Sequence, residues 1–166
     1  RIEVFDERNL SVIRRHDDMQ MVTQIQQALD ADEFSLFAQP IVSLKDADAQ
    51  TSFEVLLRMN DVDGARVPTD ALFSAAERYR LMPQIDRWVL SKTITTLAAH
   101  ADALRDSGAT FAINLSGQSI GDDEILKFIE EELAASGLPA SCLCFEVTES
   151  EAVSNLGKAQ TFLQQL

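Results

Sequence analysis

FSLFAQPIVSLKDADAQTSFEVLLR, residues 34–58, is built almost entirely from two runs of β-formers. Phe34 to Val42 reads as one strand and Thr51 to Arg58 as the next. The eight residues between them, SLKDADAQ, are too few for a crossover helix, so the spacing predicts an antiparallel hairpin. Inside the second run, Glu54 stands among Phe53, Val55, Leu56 and Leu57. A carboxylate in such a place is costly to bury unless it is paired or bound to a metal ion.

Downstream of the hairpin the pattern changes to alternating helices and strands. Thr69 is expected to cap a helix running to about Arg80. Pro83 starts another that turns Ile85, Trp88 and Val89 inward and ends before Gly108. Thr110 to Leu115 reads as a strand. A helix from Asp122 or Asp123 carries Ile125, Phe128, Ile129 and Leu133 and closes at Gly137. Cys142 to Thr148 reads as a strand, and a final helix begins at Gly157. Strand and helix in alternation predict a parallel sheet. Upstream, Asp17 can cap a helix to about Asp32 with Val22, Ile25 and Leu29 on one face. Residues 1–16 are charged and look like the tail of something earlier.

Two further oxygen-bearing side chains interrupt apolar strands: Asn114 in TFAINLS and Glu146 in CLCFEVTES. One such residue would be unremarkable. Glu54, Asn114 and Glu146 together predict a hard-cation site at the ends of parallel strands, with Mg²⁺ or Mn²⁺ as the fitting ions.

Composition narrows the function classes. With 46% apolar residues the chain can bury a core. A net charge of −13 argues against nonspecific binding to DNA or RNA, which needs a cationic surface. It also means that an anionic ligand must be met by local charge or by metal. There is no run of 18 apolar residues to span a membrane. Cys142 and Cys144 lie two apart in one expected strand, a poor geometry for a disulfide, and are read as small buried apolar residues. His16 and His100 belong to no recognisable constellation, and no Ser-His-Asp, Cys-His, GxGxxG or P-loop pattern is present. Asp86 and Trp88 read as structural, the carboxylate near a helix start and the indole in the core.

Six stretches in order resemble the EAL-domain family, the bacterial cyclic di-GMP phosphodiesterases. They are FSLFAQPIVSL, EVLLR, VPTDALFSAAERYRLMPQIDRWVL, FAINLSGQSI, GLPASCLCFEVTES and the opening of the last helix. The signature Glu-Ala-Leu reads Glu54-Val55-Leu56, which keeps the carboxylate. The resemblance implies a TIM-like (β/α) barrel whose first strand is antiparallel, in agreement with the hairpin read from spacing. It covers residues 17–166. It further implies that the family's Asp-Asp-Phe-Gly stretch and its later lysine, glutamate and glutamine would lie past Leu166, so about half a barrel is expected, with no complete catalytic set. Residues 1–16 resemble the junction that follows a GGDEF domain.

The resemblance also assigns roles. Glu54, Asn114 and Glu146 would hold one of two metal ions. Arg58, four residues after Glu54 on the same side of the strand, would contact a ligand phosphate, for which a planar guanidinium is suited. Gln39 would reach the ligand, and Leu56 would form part of its floor. Glu149 would steady the loop after the next strand. The implied activity is metal-dependent hydrolysis of cyclic di-GMP to the linear dinucleotide in second-messenger signalling. The alternative is a non-catalytic receptor or docking module of the same type. The expected location is the cytoplasm, either free or as the cytoplasmic part of a membrane-anchored sensor, and the open half-barrel is expected to self-associate.

Overall fold

The computed structural model describes residues 7–44, 51–120, 122, 124–148 and 156–165. The chain opens with helix α1 (Glu7–Asp30), then strands β1 (Ser35–Ile41) and β2 (Ser52–Arg58). Helices α2 (Thr69–Arg78), α3 (Met82–Ala98) and α4 (Ala101–Ser107) lead to strand β3 (Thr110–Asn114). A short helix α5 (Gly117–Ile120) and helix α6 (Ile125–Ser136) lead through a 3₁₀ turn (Ala140–Cys142) to strand β4 (Leu143–Glu146), and helix α7 (Leu156–Gln165) follows.

The strands form one four-stranded sheet in the order β1-β2-β3-β4. β1 and β2 pair antiparallel from Ser35↔Arg58 to Ile41↔Ser52, the hairpin that the spacing predicts. β2 and β3, and then β3 and β4, pair parallel. β1 lies at the edge, which is where Pro40, with no N–H to offer a second neighbour, is tolerated.

The helices cover one face of the sheet. From that face Val55, Leu57 and Ile113 enter a core built with Leu72 and Ala76 of α2 and Ile85, Val89 and Leu90 of α3. Ile25 of α1 and Ile125 and Ile129 of α6 belong to the same core, so the apolar spacings read in those helices mark their inward faces. Ile94, Leu138 and Cys142 form a small second cluster.

Several helix ends differ from expectation. α1 begins at Glu7, so Asp17 lies inside the helix and caps nothing. α2 is preceded by Pro68 as N-cap without a side-chain hydrogen bond, and Thr69 is its first residue. The long helix expected up to Gly108 breaks near His100 into α3 and α4. Gly108 then closes α4 at φ 64°, a left-handed value that favours glycine. Gly137 closes α6 in the same way at φ 68°. Among the described residues no helix is long and apolar enough to cross a membrane.

The two cysteines do not share an environment. Cys142 sits in the 3₁₀ turn and is buried, whereas Cys144 is in β4 and exposed. The expectation that both are small buried residues of one strand therefore fails for Cys144. The strand begins one residue after Cys142, and Cys144 faces away from the helices.

Candidate functional site

The face of the sheet opposite the helices carries the polar residues. Strand alternation sends Val55 and Leu57 into the core and Glu54, Leu56 and Arg58 the other way. Pairing aligns Gln39 directly with Glu54 across the hairpin. On the parallel side Asn114 and Glu146 are register partners. The backbone N–H of Leu115 donates to the Glu146 carbonyl at 2.8 Å, which extends this pairing past the strand end. Five of the residues singled out in the sequence thus lie on one face, toward the carboxyl ends of the parallel strands, and Gln39 meets them from the edge strand.

The closest link among them joins β3 to β2. Nδ2 of Asn114 donates to Oε1 of Glu54 at 2.9 Å. The bond uses the amide's donor and leaves its oxygen, the harder metal donor, for other work. Among the described residues no ammonium or guanidinium pairs with Glu54. Nη1 of Arg58 donates to the carbonyl of Leu57 at 2.7 Å, and the guanidinium enters no salt bridge among the described residues. Glu54, Leu56, Arg58 and Asn114 line an open cleft of about 330 Å³ that they share with Thr148 and with helix-side residues, among them Val55, Leu57, Ile85, Asp86 and Val89. Glu146 stands beside Asn114 by register but is not part of that lining. Glu149 lies outside the described residues.

Two carboxylates and one amide oxygen on neighbouring strands form a donor set suited to a hard divalent cation. They are not a His/Cys/Asp/Glu cluster, and among the described residues no three such side chains gather. The fit rests on the oxygen chemistry of the set and on the absence of a cationic side chain at Glu54.

Asp86, read as structural, anchors the turn after β3. It is the fifth residue of α3, 4% exposed, and its Oδ2 accepts three hydrogen bonds from the turn after β3: Ser116 N at 3.0 Å, Ser116 Oγ at 2.6 Å and Ser119 Oγ at 2.6 Å. The sequence signal was available. Asp86 shares a helix face with Val89, Leu90 and Thr93, all buried, so its carboxylate points where apolar groups should. Trp88 is half-buried and packs against the core. Its Nε1 donates to Oδ1 of Asp32 at 2.9 Å, and its ring packs edge-on against Phe34 with centroids 5.3 Å apart.

A family model described as "EAL domain" matches residues 22–166. The chain is 30% identical over 165 residues to the cyclic di-GMP phosphodiesterase PdeB of Shewanella oneidensis, covering 99% of this chain and 19% of that protein. It is 33% identical over 150 residues to the cyclic di-GMP phosphodiesterase PdeF of Escherichia coli, covering 90% of this chain and 19% of that one. Among solved structures, the FimX EAL domain from Pseudomonas aeruginosa bound to c-di-GMP aligns with a TM-score of 0.78 at 33% identity, covering 88% of this chain and 57% of that one. A PaMucR phosphodiesterase in complex with c-di-GMP aligns with a TM-score of 0.78 at 25% identity, covering 88% and 58%. The chain therefore spans about a fifth of the length of these two curated relatives and over half of the solved domains. The chain belongs to the EAL domain family, and its sheet is part of that family's TIM-barrel-like fold.

Proposed function

We propose that this chain supplies the first metal-binding edge and part of the ligand floor of a cyclic di-GMP phosphodiesterase domain. The observation that carries the reading is the 2.9 Å bond between Asn114 and Glu54, with Glu146 in register beside Asn114 on the next strand. Glu54, Asn114 and Glu146 would hold a Mg²⁺ or Mn²⁺ ion. When bound, such an ion polarises a phosphodiester and lowers the pKa of a coordinated water. The chain's own residues bind and orient the ligand. Arg58 presents an always-charged planar donor, free of ion pairs among the described residues, to a phosphate oxygen. Gln39 reaches across the hairpin toward the same ligand, and Leu56 gives it an apolar floor. Asn114 holds the Glu54 carboxylate in one orientation, so the site is formed before ligand arrives.

Glu149 would steady the loop that follows the next strand of the domain. Residues 1–16 would belong to the junction with a preceding GGDEF domain, and the setting would be cytoplasmic.

The test is a titration of Mn²⁺ followed by cyclic di-GMP, comparing wild type with Glu54→Gln/Glu146→Gln. Wild type is expected to bind both, and the double variant to lose Mn²⁺ binding while staying folded. Equal Mn²⁺ affinity in the two proteins would remove the site. Binding of intact cyclic di-GMP without hydrolysis, in a polypeptide long enough to hold the rest of the barrel, would move the domain from phosphodiesterase to receptor.

A further inference from the structure

We infer that Asp86 is a positioning residue for the Asn114 end of the site, acting through the turn that follows β3. The inference rests on the metal reading above for its consequence but not for its geometry. The Asp86 carboxylate is buried, as are Ser116 and Ser119, at 6% and 0% exposure. A single oxygen, Oδ2, collects the backbone N–H and the hydroxyl of Ser116 and the hydroxyl of Ser119. The Ser116 hydroxyl oxygen in turn accepts from the N–H of Ser119 at 3.2 Å, and the two hydroxyls lie 3.3 Å apart. A carboxylate is tolerated in such a place only when charge-assisted donors replace its water, and here three do so.

The location gives this network its role. Asn114 is the last residue of β3, and the chain must leave the strand at once into α5. Leu115 is tied to β4 through its N–H, and Ser116 is tied to α3 through Asp86. The backbone just past Asn114 is therefore clamped between a strand on one side and a helix on the other. The direction of the Asn114 side chain, and with it the 2.9 Å bond to Glu54, follows from that clamp. Asp86 also lines the same cleft as Glu54 and Asn114, so its charge lies behind the proposed ligands and adds to the field that favours a cation.

Asp86→Asn keeps the shape but removes the charge and turns one oxygen into a donor. The experiment measures two things on the same folded protein. One is Mn²⁺ affinity. The other is the side-chain amide signal of Asn114 in ¹⁵N-correlated NMR spectra recorded without metal. In Asp86→Asn, Mn²⁺ affinity should fall about tenfold, as is typical when an outer partner of a metal ligand is lost. The Asn114 amide signal should move to the position it takes in Glu54→Gln, while the backbone signals of Ile113 and Ala112 stay in place. If Asp86→Asn does not fold, Ser119→Ala, which removes one of the three donors, carries the same two measurements with smaller shifts in the same direction. An Asn114 signal unchanged in a folded Asp86→Asn, or in Ser119→Ala where that is the folded variant, overturns the inference. A wild type that binds no Mn²⁺ overturns the metal reading, and the Asn114 signal then decides the positioning role alone.

Discussion

The two faces of the same sheet carry different duties. On the helix side Val55, Leu57 and Ile113 are at most 8% exposed and lie in a continuous apolar core. One residue along each strand, Glu54 and Asn114 point the other way and take no part in that core. Stability and chemistry are thereby separated by a single step of the backbone. The strand's period of two makes the separation strict, because a register slip of one residue would exchange the faces.

The sharpest test uses two neighbours in the sequence. Ile113→Ala removes a fully buried side chain and should cost roughly 2–5 kcal/mol of unfolding free energy. Asn114→Ala should change stability by less than about 1 kcal/mol, since the residue is exposed, yet abolish measurable Mn²⁺ binding. Urea unfolding and Mn²⁺ titration on both variants give four numbers. If both variants lose stability and affinity alike, the division between the faces does not hold.

A smaller effect is expected at the sheet edge, where the division weakens. Phe37 and Ile41 of β1 are each 50% exposed. Arg66 lies over the Phe37 ring at 5.3 Å from its centroid and shields only part of it. The 166-residue polypeptide on its own should therefore self-associate through this edge. Ile41→Lys places a charge on the exposed face and should weaken that association by about tenfold, read by sedimentation velocity across a concentration series. A wild-type chain that stays monomeric at tens of micromolar would show that the exposed edge needs no partner.

How much of this was legible in the sequence follows the same physics. The hairpin was legible because eight residues cannot hold a crossover, and the parallel strands because helices separate them. Glu54, Asn114 and Glu146 stood out because each interrupts an apolar run, and the structure brings the first two into contact. Boundaries set by backbone bonds rather than by side-chain pattern were not legible. α2 ends at Arg78 with Tyr79 as its cap, and the next residue, Arg80, turns left-handed at φ 58° while the Leu81 N–H bonds back to the Ala76 carbonyl at 2.8 Å, an ending that no glycine announces. The break at His100 falls within a stretch of good helix formers, so propensity carries no signal there. Asp86 was legible as structural, but its partners were not. Its neighbours in sequence gave its burial, but its serine partners lie 30 and 33 residues away, and only the fold brings them together.

The smallest predicted effect concerns the helix layer, away from both sheet faces. Nη2 of Arg87 on α3 donates to Oδ2 of Asp122 at 2.8 Å, and the guanidinium also lies over the Phe128 ring of α6. Hydrogen bonding to Arg87, and then to the N–H of Glu124, holds the Asp122 carboxyl below its ordinary value of 3.8. A carboxylate whose pKa is lower in the folded chain stabilises the fold above the unfolded value, and that contribution is lost as the pH falls through the folded one. The pair is about a third exposed on each side, so solvent screens it and its worth is of the order of 0.2–1 kcal/mol. Asp122→Asn should therefore lower unfolding free energy slightly at pH 7, and the difference from wild type should shrink as the pH is taken below about 3.8. Mn²⁺ affinity should not change, because neither side chain lines the cleft, and Asp122 meets the turn after β3 through its backbone N–H, which donates to the Ser119 carbonyl at 2.8 Å and is kept in Asp122→Asn. A stability loss that is the same at pH 7 and at acid pH would mean that shape, not charge, joins α3 to the start of α6. A loss of Mn²⁺ affinity would mean that the helix layer is coupled to the site more tightly than the two-faced sheet allows.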